Sequence, residues 1–225
     1  MQEVTKTKKS AAHLFMWALV VVYGGGVIAH LSSALFPLAH RMTESLLFVT
    51  NAAVLYFLLK DHPKAKSLAI WCLIASILTF LAEVTGVATG KVFGQYVYGE
   101  TLPLQLWNVP IVIGLNWVML TLGGVAIIQR LIKGFTLTDN LAVAILTALT
   151  VVFFDWVMEP VAVYLDYWHW FGQPIPLQNY MAWGIIAFVA TFVLQQLKIS
   201  VYSPVVVVYF IVQWVFFVLL RLLLV

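Results

Sequence analysis

Residues 140–165 read NLAVAILTALTVVFFDWVMEPVAVYL. A bilayer core ~30 Å thick takes a helix of ~20 mainly apolar residues, so this stretch is long enough to cross. Its only charges are Asp155 and Glu159, well inside the run. An ionisable group at membrane depth costs at least ~2.5 kcal/mol even on the lenient insertion scale, and needs a partner, a cavity or a proton. The i,i+4 spacing puts both acids on one helix face, one turn apart. Two carboxyls this close in a low dielectric do not both ionise cheaply. A protonated acid beside a carboxylate is expected, which is what general acid–base chemistry uses. Pro160 follows at once, and its ring removes the hydrogen bond to the carbonyl of Trp156, adding a polar acceptor at the same level. The plainer alternative is a structural pair hydrogen-bonded to neighbouring helices, with Glu159 near the interface.

The rest of the chain is similar in character. It is 63% hydrophobic and 9% charged, with a mean hydropathy of +1.00, against ~25% charged residues in an ordinary soluble domain. Seven apolar runs, at 12–35, 44–60, 66–88, 108–132, 140–165, 180–197 and 204–224, use most of its 225 residues. The expected fold is an all-α integral membrane protein, a bundle of seven transmembrane helices forming a single domain over 1–225, with residues 1–10 as a cytoplasmic tail. Lys6, Lys8, Lys9, Lys60, Lys64, Lys66, Arg130, Lys133 and Lys198 then fall inside, and Arg41, Lys91 and Arg221 outside. That asymmetry predicts a cytoplasmic N-terminus and an external C-terminus. Because the basic residues sit in short connections, the net charge of +3 does not indicate a nucleic-acid partner. The first run is too long for a signal peptide and lacks a small-residue cleavage site, so it reads as a retained span. Cys72, the single cysteine, excludes an internal disulfide and reads as a small buried apolar residue.

Further polar residues converge on the outer half. At ~1.5 Å per residue, Glu83 lies about 25 Å along the third span, Asp155 about 22 Å along the fifth and Glu159 about 6 Å beyond it. His30 is near the outer end of the first. Above them run the two longest connections, 89–107 and 166–179, rich in Gly, Pro, Tyr and Trp, which suggests semi-buried segments roofing a cavity. Phe93, Tyr96, Tyr98, Trp107, Trp117, Trp156, Tyr164, Trp168, Trp170 and Trp183 gather at this end, partly as an interfacial belt and partly as a slot for a long apolar ligand. Thr79, Glu83, Gly86 and Gly90 form one stripe, open to a neighbouring helix or a flat ligand. Gly24-Gly25-Gly26 reads as packing or a local weakness. Asn108 and Thr138-Asp139-Asn140 offer capping side chains before the fourth and fifth runs, with Pro110 in the first turn of the fourth. No span carries a His-x-x-x-His or Glu-x-x-His pair, so no metal is expected. The last run has no lysine for a retinal Schiff base, and no phosphate or dinucleotide loop is present. Acid, base and water, with no cofactor, are the chemistry these residues suit.

The string Glu83-x-x-Gly86-x-x-x-Gly90-x-x-Phe93-Gly94-x-Tyr96-x-Tyr98-Gly99, then Val109-Pro110, then Asp155-x-x-x-Glu159-Pro160-Val161-Ala162, then Pro176-x-x-Asn179-x-x-x-Trp183, resembles the membrane carotenoid hydratases. That family includes the CruF-type γ-carotene 1′,2′-hydratases and the bisanhydrobacterioruberin hydratases. One departure is Glu159, where the family pattern often has Asp. The resemblance implies an acyclic or monocyclic carotenoid substrate in a cell's inner (plasma) membrane, with lipid as surroundings. It implies water addition across the terminal double bond of a ψ end group, giving a tertiary alcohol. In that reading Glu83, Asp155 and Glu159 are catalytic, Asp155 or Glu83 being the acid and the other the base or cation stabiliser. Tyr96, Tyr98, Asn108, Trp117, Trp156, Asn179, Trp183 and His30 would bind substrate or water. Two alternatives stay open. A lycopene-type cyclase would start from the same cation and quench it with a neighbouring double bond. A non-enzymatic carrier of a small lipophile would use the acids as a relay, although the inverted repeats usual in such folds are not evident.

Overall fold

The computed structural model describes residues 2–172 and 174–225, and side chains from residue 11 onward. The lysines of the expected N-terminal tail therefore lie outside the described side chains. Seven helices follow one another: α1 Gln2–Leu31, α2 Phe36–Leu59, α3 Ala65–Thr89, α4 Val112–Ile128, α5 Leu137–Tyr164, α6 Leu177–Gln196 and α7 Pro204–Leu224. Six of them, all but the 17-residue α4, are long and apolar enough to cross a membrane.

α4 is apolar all round and nearly every residue of it is buried, as expected of a helix with neighbours on all sides. α2, α3, α5, α6 and α7 pack on it, while α1 rests on α7 and α2. Close approach has a sequence cause: a Cβ at Gly123 would run into the Phe210 ring of α7. α5 and α6 form the most extensive helix pair.

The connections gather at two ends. At one, Lys64 Nζ donates to the carbonyls of Leu197 and Lys198 (3.0 and 2.9 Å) and Tyr202 Oη to that of Gln129 (3.1 Å). Lysine reaching the last carbonyls of a helix is a favourable terminus. At the other end lie two short antiparallel ribbons. β1 (Tyr96–Tyr98) pairs with β4 (Trp168–Trp170) in the register Tyr96↔Trp170, Val97↔His169, Tyr98↔Trp168. β2 (Gln105–Leu106) pairs with β3 (Val109–Pro110) across a two-residue turn, Trp107–Asn108, both at positive φ (54° and 62°). Such turns match the twist of a hairpin, and Asn is among the residues that tolerate the left-handed region.

Several helix ends differ from expectation. The fourth run does not become helix at 108: Asn108 is a turn residue, Pro110 is in β3, and α4 starts at Val112 after Ile111 with no side-chain cap. α2 starts at Phe36, eight residues before the expected 44, and carries Arg41-Met-Thr-Glu44 within it. Glu44 is buried there because both its oxygens accept from Leu104 N–H at 3.1 Å, tying the hairpin to α2. α5 begins one turn early under a capping box: Thr136 Oγ1 accepts from Asp139 N–H (3.2 Å) and Asp139 accepts from Thr136 N–H (3.1 Å). The carbonyl freed by Pro160 has a partner, since Arg221 Nη1 donates to Trp156 O at 2.5 Å and its guanidinium lies 4.2 Å from the Trp156 ring.

Candidate functional site

The ribbon β1–β4 covers the bundle at the end opposite the lysine-rich connections. Alternation along each strand turns Val97 and His169 outward, and Tyr96, Tyr98, Trp168 and Trp170 inward over the helix ends. These four side chains are hydrogen-bond donors with apolar bodies, and each spends its donor on an acid. Tyr96 Oη and Tyr98 Oη both donate to Glu83 Oε2, the second at 2.8 Å. Trp168 Nε1 and Trp170 Nε1 donate to Glu159 Oε2 at 3.0 and 2.9 Å. The phenols of Tyr96 and Tyr98 are raised far above their ordinary pKa, by burial first and by the Glu83 charge second, so they act as neutral donors at any working pH.

The helices complete each acid's shell. Glu83 sits on α3, 4% exposed, and its Oε1 accepts from Trp117 Nε1 of α4 at 2.8 Å. Glu159 Oε1 accepts from Asn179 Nδ2 of α6 at 3.0 Å, and the same nitrogen donates to Asp155 Oδ2 at 2.8 Å. One amide thus joins the two acids of the i,i+4 pair. Asp155 Oδ1, fully buried, has no partner among the described residues, whereas the other five carboxyl oxygens of the three acids each have at least one donor. An ionised carboxylate is an acceptor only, and the shells of Glu83 and Glu159 consist only of donors.

Below the ribbon is a cavity of about 480 Å³ with mostly apolar walls. Glu83 and Glu159 are on its wall, with Asn179 and Trp183; Trp183 lies against Trp117, ring centroids 4.0 Å apart. Asp155 is not on the wall but behind it, reached through Asn179 and Glu159. The cavity extends to α1 and α2, where Val21, Leu35, Leu38 and Met42 line it and also reach the outer surface of the bundle. The glycine triplet belongs to this region: Gly25 and Gly26 line the cavity, and a Cβ at Gly24 or Gly25 would meet nothing within 4 Å.

Of the residues singled out from sequence, Glu83, Glu159, Tyr96, Tyr98, Trp117, Asn179 and Trp183 surround this cavity and Asp155 adjoins it. His30 lines it too, but its Nδ1 is taken by the Gly26 carbonyl at 2.7 Å and it touches none of the acids by hydrogen bond. Asn108 is exposed in its turn, remote in role from the acids. Trp156 is 49% exposed on the outside of α5, between Phe153 and Arg221. It follows Asp155 in sequence, and a step of ~100° around the helix carries it off the acid's face. The two glycines of the stripe beside Glu83 are covered by the loop that follows α3. Gly86 is covered by the chain's own return, a Cβ there meeting Phe93 at 2.7 Å, and Gly90 ends α3 at φ 66°. Trp168 and Trp170 are legible as aromatic residues of this end, but not as ligands of an acid; the aromatic-x-aromatic pattern shared by 96–98 and 168–170 is the available signal. Among the described residues no three His, Cys, Asp or Glu converge as a metal cage.

Six membrane-length apolar helices and an acid-lined apolar cavity define a multi-pass membrane protein with a buried polar site. The chain belongs to the carotenoid biosynthesis protein family, whose model matches residues 43–224. That places it in carotenoid metabolism. No curated protein and no solved structure matches it.

Proposed function

We propose that the protein is a cofactor-independent carotenoid hydratase acting on an acyclic or monocyclic carotenoid with a ψ end group. The observation that carries this reading is that Glu83 and Glu159 stand on the wall of one apolar cavity, each wrapped in donors. The Asp155–Glu159 pair supplies the proton. Asp155 Oδ1, lacking a donor among the described residues, holds that proton at rest; the proton crosses to the Glu159 carboxylate one helix turn away, leaving Asp155 ionised, and Glu159 carries it on the cavity wall. The π pair of the terminal double bond takes the proton, forming a C–H bond and leaving a tertiary cation at the dimethyl carbon. Aromatic faces and the Glu83 carboxylate stabilise the cation. Water forms the C–O bond, and its surplus proton passes to a carboxylate, so the sum is substrate plus water. Positioned acid and base groups contribute ~10²–10⁴-fold each in such reactions.

In the membrane, all seven helices span, with the N-terminus cytoplasmic, the C-terminus outside and the site beneath the outer face of the plasma membrane. The ψ end enters from the lipid, so the substrate never leaves it. Expression with a lycopene or γ-carotene producer tests the proposal by mass analysis of extracted carotenoids. A product heavier by one water supports it. An isomer of unchanged mass makes the protein a cyclase, and no product leaves the carrier reading.

A further inference from the structure

Hydration needs a place for the oxygen, and the donors around the acids are already spent there. A second polar group on the same cavity wall is not. Asn116 immediately precedes Trp117, so ~100° of helix turn takes it away from Glu83 and toward α2 and α7. Its Oδ1 accepts from Asn51 Nδ2 at 2.6 Å, and Asn51 Oδ1 accepts from Tyr209 Oη at 2.5 Å. Tyr209 lies edge-on to Tyr23, ring centroids 6.0 Å apart, and Tyr23 Oη accepts from Gln213 Nε2 at 3.2 Å. Asn51, Tyr209 and Gln213 are 0%, 1% and 7% exposed. The chain thus crosses α1, α2, α4 and α7 without a charge, and its two ends, Asn116 and Gln213, both line the cavity. Among the described hydrogen bonds Asn116 uses only its carbonyl and Gln213 only its amide nitrogen. A donor, Asn116 Nδ2, and an acceptor, Gln213 Oε1, are left for the lumen. Together they complement a hydroxyl, which both accepts and donates.

We infer that Asn116 and Gln213 form an uncharged station for the reacting oxygen, water before capture and the tertiary alcohol after it. This rests on the hydratase reading. The buried amides and phenols behind it fix both side chains, since an amide rotated away would strand a buried polar partner. The station positions the nucleophile and moves no proton to the alkene. Protonation and capture are therefore separable: the cation can return a neighbouring proton to a carboxylate and leave as an alkene.

The test uses the full-length protein in liposomes, with a ψ-ended carotenoid in D₂O, comparing the native chain with Asn116→Leu and Gln213→Met. Deuterium in recovered or isomerised alkene reports protonation; alcohol reports capture. The station predicts that the ratio of alcohol to deuterated alkene falls at least tenfold in each variant while deuterium still enters. Gln213→Met keeps the side-chain length and leaves the Asn51–Asn116 bond untouched, so it guards against a folding defect in the other. An unchanged ratio overturns the station, as does equal loss of alcohol and deuterium in both variants. A raised KM confined to hydroxylated substrates, with the ratio unchanged, overturns it too by assigning the site to a substrate hydroxyl. Absence of both alcohol and deuterium with the native chain would instead sink the hydratase reading.

Discussion

Glu83, Asp155 and Glu159 differ in what surrounds them, and the roles proposed for them rest on that difference. Glu83 and Glu159 have both oxygens occupied by donors and face the cavity; Asp155 has a bare oxygen and does not. Glu83→Gln and Glu159→Gln should each lower turnover by ~10²–10⁴-fold with the protein still inserted, as read by product formation in isolated membranes. Asp155→Asn should do the same by withholding the proton from Glu159. Tyr98→Phe removes one of three donors to Glu83. Loss of a hydrogen bond to a charged group is worth ~1.5–3 kcal/mol, so turnover should fall about 10–100-fold and no further. Lone acids in apolar runs were readable without a structure because few physical reasons put them there. Asn108 was not, since the same short amide suits a helix cap and a left-handed turn. Asn116 and Gln213 are not legible in the sequence, because a single neutral amide inside a span signals nothing until its partners on other helices are known.

At the scale of elements, the β1–β4 ribbon is what brings donors to the acids. Its strands are three residues each, too short for alternation to stand out in a sequence, although the roofing of a cavity by 89–107 and 166–179 was readable from their aromatic, lysine-poor composition. Next to the ribbon, Asp166 Oδ2 accepts from Glu100 N–H at 2.9 Å and Oδ1 contacts His169 Nε2 at 2.5 Å. Burial pushes the Asp166 carboxyl up, but the Glu100 amide and His169 outweigh it and hold the carboxyl below its usual value. A depressed carboxyl adds stability that is complete above its unfolded pKa of ~3.9 and is lost as pH falls through the folded value. The protection of the ribbon amides, measured relative to their intrinsic exchange rate, should therefore fall below about pH 4 in the native chain. Asp166→Asn should lose that pH dependence; an identical acid response in both would remove Asp166 from the ribbon's support. A Cβ at Gly99 would strike Asp166 itself, which is why this turn has glycine.

For the whole molecule, the seven helices were legible because apolar run length is the strongest signal a membrane chain carries. Their ends were not, since ribbons, caps and an early start of α2 depend on partners far off in sequence. The connections sort into a basic end and an aromatic end, and the proposed orientation rests on the basic one. In a Cys72→Ser background, Lys91→Cys should react with an impermeant thiol reagent added outside intact cells, and Lys133→Cys only after permeabilisation. The reverse pattern would invert the proposed topology. In the proposed function the substrate enters from lipid beside α1 and α2, where residues lining the cavity also reach the bundle surface. The most direct measurement is the isotopic structure of the product made by the purified protein in D₂O. The account predicts one deuterium on the carbon next to the new alcohol carbon, and a yield of this product lower by ~10²–10⁴-fold with Glu159→Gln. An alcohol with no carbon-bound deuterium, or the same yield from Glu159→Gln, would contradict it.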